Sequence, residues 1–215
     1  MARIIHPDGW KFVGIFSLVA VVLMGMSETL GWIGLILTAW CVYFFRMPAR
    51  VVPEYEDWLV SPADGKVVLI EEVPPPQGLG MDGDKTWRVS IFLNVFDVHV
   101  NYIPFDGVIK NVAYHAGQFL NASLDKASDL NERNAVLLET SKGAQVAFVQ
   151  IAGLIARRIR CDVSSGDSVK RGDVFGLIRF GSRVDVYLPV GVSPLVRVGQ
   201  RMIASETLLA RLPGE

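Results

Sequence analysis

Two regimes of hydrophobic patterning divide the chain. Across residues 12–45 nearly every position is apolar, and Ser27-Glu28-Thr29 is the main interruption. Such unbroken runs predict two apolar helices joined by a short polar break. Each run is somewhat short of the roughly 20 residues that cross a bilayer upright. From residue 51 the pattern changes to short β-type runs: KVVLIEEV, WRVSIFLNV, GVIKNVAYH, AVLLET, QVAFVQIAG, DVFGLIRF and RVDVYLP. Turn signals separate them about every eight to twelve residues, which predicts a sheet-rich sandwich or barrel. PPPQGLGMDGDK (74–85) reads as a Pro/Gly-rich loop. GQFLNASLDKASDLNERN (117–134) is the one polar stretch long enough for a helix or an ordered loop, with Asn121 and Ser123 as candidate caps. The predicted class is therefore α+β and mainly β. A hydrophobic helical hairpin (1–50) precedes a sheet-rich domain (51–215).

SGDSVKRGDVFGLI (165–178) places Gly-Asp pairs between very short apolar runs. Lipoyl and biotinyl carrier domains share this hammerhead spacing, but they present a modifiable lysine beside Met or Ala, and no such tripeptide occurs here. The C-terminal part thus reads as carrier-like without the carrier lysine.

Composition narrows the possible partners. Hydrophobic residues make up 51% and charged residues 20% of the chain, and the net charge is −1. A nearly neutral chain exerts no long-range pull on nucleic acid, and that class is set aside. Cys41 and Cys161 form neither a disulfide framework nor a metal pattern, which fits a reducing compartment. Arg3 and Lys11 flank the first apolar run, Arg46 and Arg50 follow the second, and the break between them carries no Lys or Arg. By the positive-inside rule both ends face the cytoplasm, as in a hairpin anchored in the inner membrane. A buried core hairpin is the alternative. A secretory signal fits poorly, since a second apolar run follows where a cleavage site would be needed.

Candidate chemistry centres on LIRFGSRVDVYLP (177–189). Two strand-like runs are linked by Gly181-Ser182-Arg183, which is not a usual two-residue hairpin turn. A serine hydroxyl after glycine can reach the preceding carbonyl carbon, because glycine permits strained backbone angles. An N-to-O acyl shift, elimination and hydrolysis would then leave a pyruvoyl group at residue 182.

Four further stretches accompany this one: YFFRMPAR (43–50), SPADGK (61–66) with Asp64, FDVHVNYIPFDG (96–107) with His99, and YHAGQFLNASLDKASDLNER (114–133) with His115. Together and in this order they resemble the phosphatidylserine decarboxylase proenzymes, particularly their short bacterial form. The resemblance implies self-cleavage between Gly181 and Ser182, giving a β chain of residues 1–181 and an α chain of residues 182–215. It implies a covalent pyruvoyl cofactor derived from Ser182, which forms a Schiff base with the amine of phosphatidylserine in the bilayer. That imine absorbs the electron pair left by CO₂, and phosphatidylethanolamine is released. No metal is implied. Members commonly dimerise, so a homodimer of cleaved pairs is expected.

The resemblance also assigns an Asp and a His to self-cleavage, in the manner of a triad. Asp64 matches the aspartate and His99 the first histidine of the His strand. Longer members carry a second histidine three residues on, where this chain has Tyr102. An unperturbed tyrosine, with a pKa of about 10, is a poor base near neutral pH. Either His99 serves both maturation and decarboxylation, or His115 takes one role. Residues 99 and 102 would face opposite sides of a regular strand, so only a bulge would let them share a site. Arg157, Arg158, Arg160, Lys170 and Arg171 could meet anionic headgroups or form a solvated face. Two other functions stay open: a membrane-tethered hammerhead adaptor without catalysis, and a decarboxylase of another serine-headgroup lipid.

Overall fold

A computed structural model of the chain describes residues 4–118, 130–153, 158–179 and 181–212. Most of the polar stretch 117–134, with Asn121 and Ser123, lies outside them, as does Arg157. The chain divides into two compact units, Met1–Ala49 and Arg50–Glu215.

The first unit is the expected helix pair, α1 (Gly9–Met26) and α2 (Glu28–Phe44). Ser27 adopts an extended conformation between them (φ −161°, ψ 134°) and so breaks what would otherwise be one helix. The helices meet through small residues: a Cβ on Gly34 would sit 2.8 Å from Ala20 Cα. At the open end, Phe12 stacks on Phe45 with ring centroids 5.4 Å apart, and the His6 N–H donates to the Phe45 carbonyl at 2.8 Å. Leu18, Val21, Met26, Trp32 and Ile36 are exposed. A pair that is apolar on its outer surface as well as along its seam suits lipid better than water. At 18 residues and a mean hydropathy of 1.8, α1 is long and apolar enough to cross a membrane, whereas α2 is one residue shorter.

The second unit is built on a curled antiparallel sheet of eight strands. Its members are β2 (Gly65–Val73), β3 (Thr86–Leu93), β5 (Gly107–His115), β6 (Arg133–Glu139), β7 (Gln145–Ile151), β9 (Ser168–Val169), β11 (Ser182–Tyr187) and β12 (Arg201–Met202), in the spatial order β12-β2-β3-β11-β7-β6-β5-β9. A three-stranded sheet, β4-β10-β8, joins β4 (Val100–Tyr102), β10 (Val174–Ile178) and β8 (Ile159–Cys161), while β1 (Trp58–Val60) pairs with β13 (Leu208–Arg211). The Gly-Asp turns are present: Gly166 and Gly172 both have positive φ. The short strands they join do not close on themselves, since β9 pairs with β5 and β10 with β4 and β8.

Strand alternation assigns the two faces of the large sheet. Val89, Ile91 and Leu93, Val146 and Phe148, and Val184 and Val186 point into the main core, where Phe175 and Ile178 of the three-stranded layer and Ile103, just after β4, meet them. Phe148 and Phe175 make an edge-on contact across the layers at 4.8 Å. The opposite face carries Leu137, Val149 and Tyr187 together with a buried ionic cluster. There Arg183 bonds Asp185 (Nη2–Oδ2 3.0 Å), and Arg88 lies between Asp185 and Glu71. Burial pushes the Tyr187 phenol up to about 12, reinforced by the Asp185 charge.

Because the folded chain holds the Tyr187 proton more tightly than the unfolded chain, its contribution to stability is complete below about pH 10 and is lost as pH rises towards about 12. Denaturant midpoints of an uncleaved Ser182→Ala chain, measured from pH 9 to 11.5, should fall with pH, and Tyr187→Phe should make that fall shallower.

Candidate functional site

The two strand-like runs around Gly181-Ser182 do not form a hairpin. β10 ends at Ile178 in the three-stranded layer, and β11 begins at Ser182 in the large sheet. The short segment between them crosses from one layer to the other, so the absence of a hairpin turn in the sequence has a direct structural reason. Gly181 takes φ +65°, in the left-handed region that favours glycine, and a Cβ there would meet nothing within 4 Å. The demand on this residue is therefore conformational rather than steric. Ser182 pairs with Leu93 of β3 and is fully buried. Among the described residues its Oγ has no hydrogen-bond partner. A buried hydroxyl left unpaired costs about 1–3 kcal/mol; Ser90 and Ser205 share that state, and Ser182 differs from them in following Gly181 beside His99.

His99, immediately before β4, is fully buried beside this junction. Its Nδ1 lies 3.0 Å from the Asp97 carbonyl oxygen, and the Gly181 N–H donates to its Nε2 at 3.2 Å. A carbonyl can only accept, so Nδ1 carries the proton and Nε2 accepts from the Gly181 N–H through its lone pair. Asp97 is fixed in turn: its Oδ2 accepts from the Asn94 N–H at 2.9 Å and its Oδ1 from Arg201 at 2.5 Å.

Asp64 stands elsewhere at the same end of the sheet. Its Oδ1 accepts from Arg50 Nη2 and from the Ala204 N–H, both at 2.8 Å. The Arg50 guanidinium lies 5.8 Å from the centre of the Tyr102 ring. Burial pushes the Tyr102 phenol up, with Arg50 opposing the shift, so this residue is no base near neutral pH. For Arg50, burial works against the charge, but Asp64 and Tyr102 outweigh it and hold the guanidinium above its usual value. Residues 99 and 102 thus serve different groups, His99 at Gly181 and Tyr102 at Arg50. This agrees with their opposite parity on the strand. The irregularity in this pairing falls on β10, between Val174 and Gly176.

The structure does not bring His115 to the junction. It ends β5 opposite Arg133 and lines a cavity of about 640 Å³ with Arg88, Arg133, Asp185 and Tyr187, on the far face of the large sheet from the core that Val184 and Val186 enter. Arg158 is exposed, and Arg160 is partly buried with its Nε bonded to Asp162 at 2.7 Å.

The family model for phosphatidylserine decarboxylase matches residues 37–210. The chain is 56% identical over 207 residues to a phosphatidylserine decarboxylase proenzyme of Ruegeria pomeroyi, covering 96% of this chain and 94% of that one. It is 55% identical over 208 residues to the proenzyme of Rickettsia akari (97% and 90%) and 53% identical over 208 residues to that of Paramagnetospirillum magneticum (97% and 87%). The chain belongs to the phosphatidylserine decarboxylase family.

For a phosphatidylserine decarboxylase family member, the junction contains residues that motif reading passed over. Asp97 holds His99 through its backbone carbonyl, and its only trace in the sequence is the Asn94…Asp97 spacing of a side-chain-capped turn. Arg50 lies within the YFFRMPAR motif, yet its partner Asp64 is 14 positions away and only the fold joins them.

The Arg50 and Asp64 side chains are 10% and 16% exposed, so removing the cation strands a mostly buried carboxylate. Arg50→Met should destabilise the Ser182→Ala chain by about 3 kcal/mol. Arg50→Met combined with Asp64→Asn should recover part of that loss in thermal melts.

Proposed function

We propose that this chain is a proenzyme that cuts itself between Gly181 and Ser182, and that the product decarboxylates phosphatidylserine to phosphatidylethanolamine and CO₂. One observation carries the reading: a buried serine hydroxyl without a partner among the described residues follows a left-handed glycine whose N–H is held by a histidine lone pair. An adaptor has no use for that combination.

In self-cleavage the Ser182 Oγ adds to the Gly181 carbonyl carbon. For this step His99 Nε2 gives up the Gly181 N–H it accepts from, takes the hydroxyl proton and returns it to the Ser182 nitrogen as the amide becomes an ester. Loss of the residue 182 α-proton expels the Gly181 carboxylate. Water then replaces the residue 182 nitrogen, which departs as ammonia and leaves a ketone. The residues present fit a pyruvoyl group, because burial keeps bulk water from the nascent carbonyl and His99 stands beside it. The pyruvoyl ketone supplies an electrophile for the substrate amine and a sink for the electron pair released with CO₂. His99 then holds the proton that replaces the carboxylate. Asp64, held by Arg50, organises the same end of the sheet. His115, on the far face, has no direct part in cleavage. The apolar helices carry the domain to its two-chain substrate, which leaves a bilayer reluctantly at about 0.8 kcal/mol per CH₂ exposed. Inner-membrane placement with the catalytic domain in the cytoplasm follows from the flanking Lys and Arg.

Denaturing gels and mass spectrometry of the purified wild-type chain should show a fragment of residues 182–215 with a blocked, borohydride-reducible first residue. Ser182→Ala should leave the chain whole. A whole wild-type chain that still releases CO₂ from phosphatidylserine would overturn the reading. His99→Ala should abolish decarboxylation and slow cleavage by roughly 10²- to 10⁴-fold, the usual scale for general acid–base catalysis. Unchanged turnover would remove His99 from the site.

A further inference from the structure

We infer that Gln150 is a positioning residue that sets His99 against the Gly181-Ser182 bond, an inference that rests on the self-cleavage proposed above. Gln150 occupies a place on β7 where alternation calls for an apolar side chain. Val146 and Phe148 point into the main core, and residue 150 continues the same face and is fully buried. Burying an amide is unfavourable unless its hydrogen bonds are made. Here they are made to three strands. Nε2 donates to Asn101 Oδ1 on β4 at 2.9 Å and to the Arg160 carbonyl on β8 at 3.2 Å, while Oε1 accepts from Asn134 Nδ2 on β6 at 3.3 Å.

These partners tie the two layers together close to the scissile bond. Asn101 lies two residues beyond His99, and Gln150 itself pairs with Val184, two residues beyond Ser182. The Gly181 N–H to His99 contact spans the same two layers. The apolar packing between them, Phe148 on Phe175 included, is non-directional and does not fix how the layers register. A fully bonded amide does. The fold makes room for it: on Gly176 of β10 a Cβ would lie 2.8 Å from Gln150 Nε2 and 2.1 Å from the Arg160 carbonyl oxygen. A glycine inside a short strand is costly and marks a close approach. What approaches most closely here is the Arg160 carbonyl oxygen of β8, with the Gln150 amide that donates to it alongside.

A leucine would fill a similar volume but would leave Asn101 Oδ1, Asn134 Nδ2 and the Arg160 carbonyl unpaired, so a loss of stability is expected whatever the role, and the cleavage rate must be read beside it. The test follows first-order self-cleavage of the full chain, made by cell-free synthesis, from pH 6 to 9. The chains are wild type, Gln150→Leu, Asn101→Leu, the Gln150→Leu/Asn101→Leu double variant and Gln150→Glu. Each substitution is also melted in the Ser182→Ala chain. Displacing a catalytic group by about 1 Å costs on the order of 10²-fold in rate, so Gln150→Leu should cleave roughly 10- to 100-fold more slowly. The double variant should be no slower than the slower single variant, because both break one bridge. A buried carboxyl titrates above its usual range and regains a donor when protonated. The Gln150→Glu rate, expressed relative to wild type, should therefore rise as pH falls at temperatures where melts of the Gln150→Glu/Ser182→Ala chain show it fully folded across the range; a purely structural role predicts no change in rate ratio under those conditions.

A wild-type rate in Gln150→Leu overturns the inference. So does multiplicative slowing in the double variant that tracks a loss of melting temperature. If Gln150→Leu fails to fold, Asn101→Leu and the Gln150→Glu pH ratio decide the matter in the same directions. Failure of the wild-type chain to cleave would count against self-cleavage itself, whereas normal wild-type cleavage with an unaffected Gln150→Leu removes Gln150 alone.

Discussion

Everything at the junction depends on β11 being held from both sides. Its residues pair with β3 along one edge and β7 along the other, and all six are buried. That double ladder holds Arg183–Tyr187, with Ser182 paired to β3 at its end, while the residue before it belongs to a crossing segment. A peptide bond placed at the edge of such order can be strained from one side only. Gly181 takes up the unusual backbone angle, and Ser182 stays in register. The Ser182 hydroxyl and the His99 ring are both fully buried next to this peptide, where electrostatic interactions are stronger than in water.

Much of this architecture could be read from the sequence, for reasons that differ by region. The helix pair was legible because its apolar runs have no competing explanation of period. The strands were legible because short apolar runs with turn punctuation have few other outcomes. The pairing of those strands was not. Residues 177–180 and 184–188 look like neighbours in one sheet, and nothing local says that the chain changes layers between them. The Gly-Asp pairs mark turns in sequence and structure alike, while the partners of the strands they join, on β4, β5 and β8, are set by contacts far along the chain.

The site was legible in the same uneven way. Ser182, His99 and Asp64 were found through motifs, and the structure sets His99 at Gly181 but gives Asp64 to Arg50. Strand parity anticipated that residues 99 and 102 would part company. It could not say that Tyr102 would join Arg50 and Asp64, since that grouping joins three separate segments. His115 could not be placed because its strand pairs at the far side of the sheet, and only the register shows which face it lines. Asp97 and Gln150 act through a carbonyl and an amide, groups too common for sequence to single out.

The passage of the chain from one layer to the other between β10 and β11 would have a consequence if the chain is cut between Gly181 and Ser182 as proposed. Past the break, the chain still inserts β11 between β3 and β7, lays β12 on β2 and pairs β13 with β1. The short piece is threaded through the long one and cannot dissociate without dismantling two sheets. What folds as a single molecule would, after the cut, have to refold as two that must find each other. The severed form is then held together by the persistence of a structure it can no longer readily rebuild.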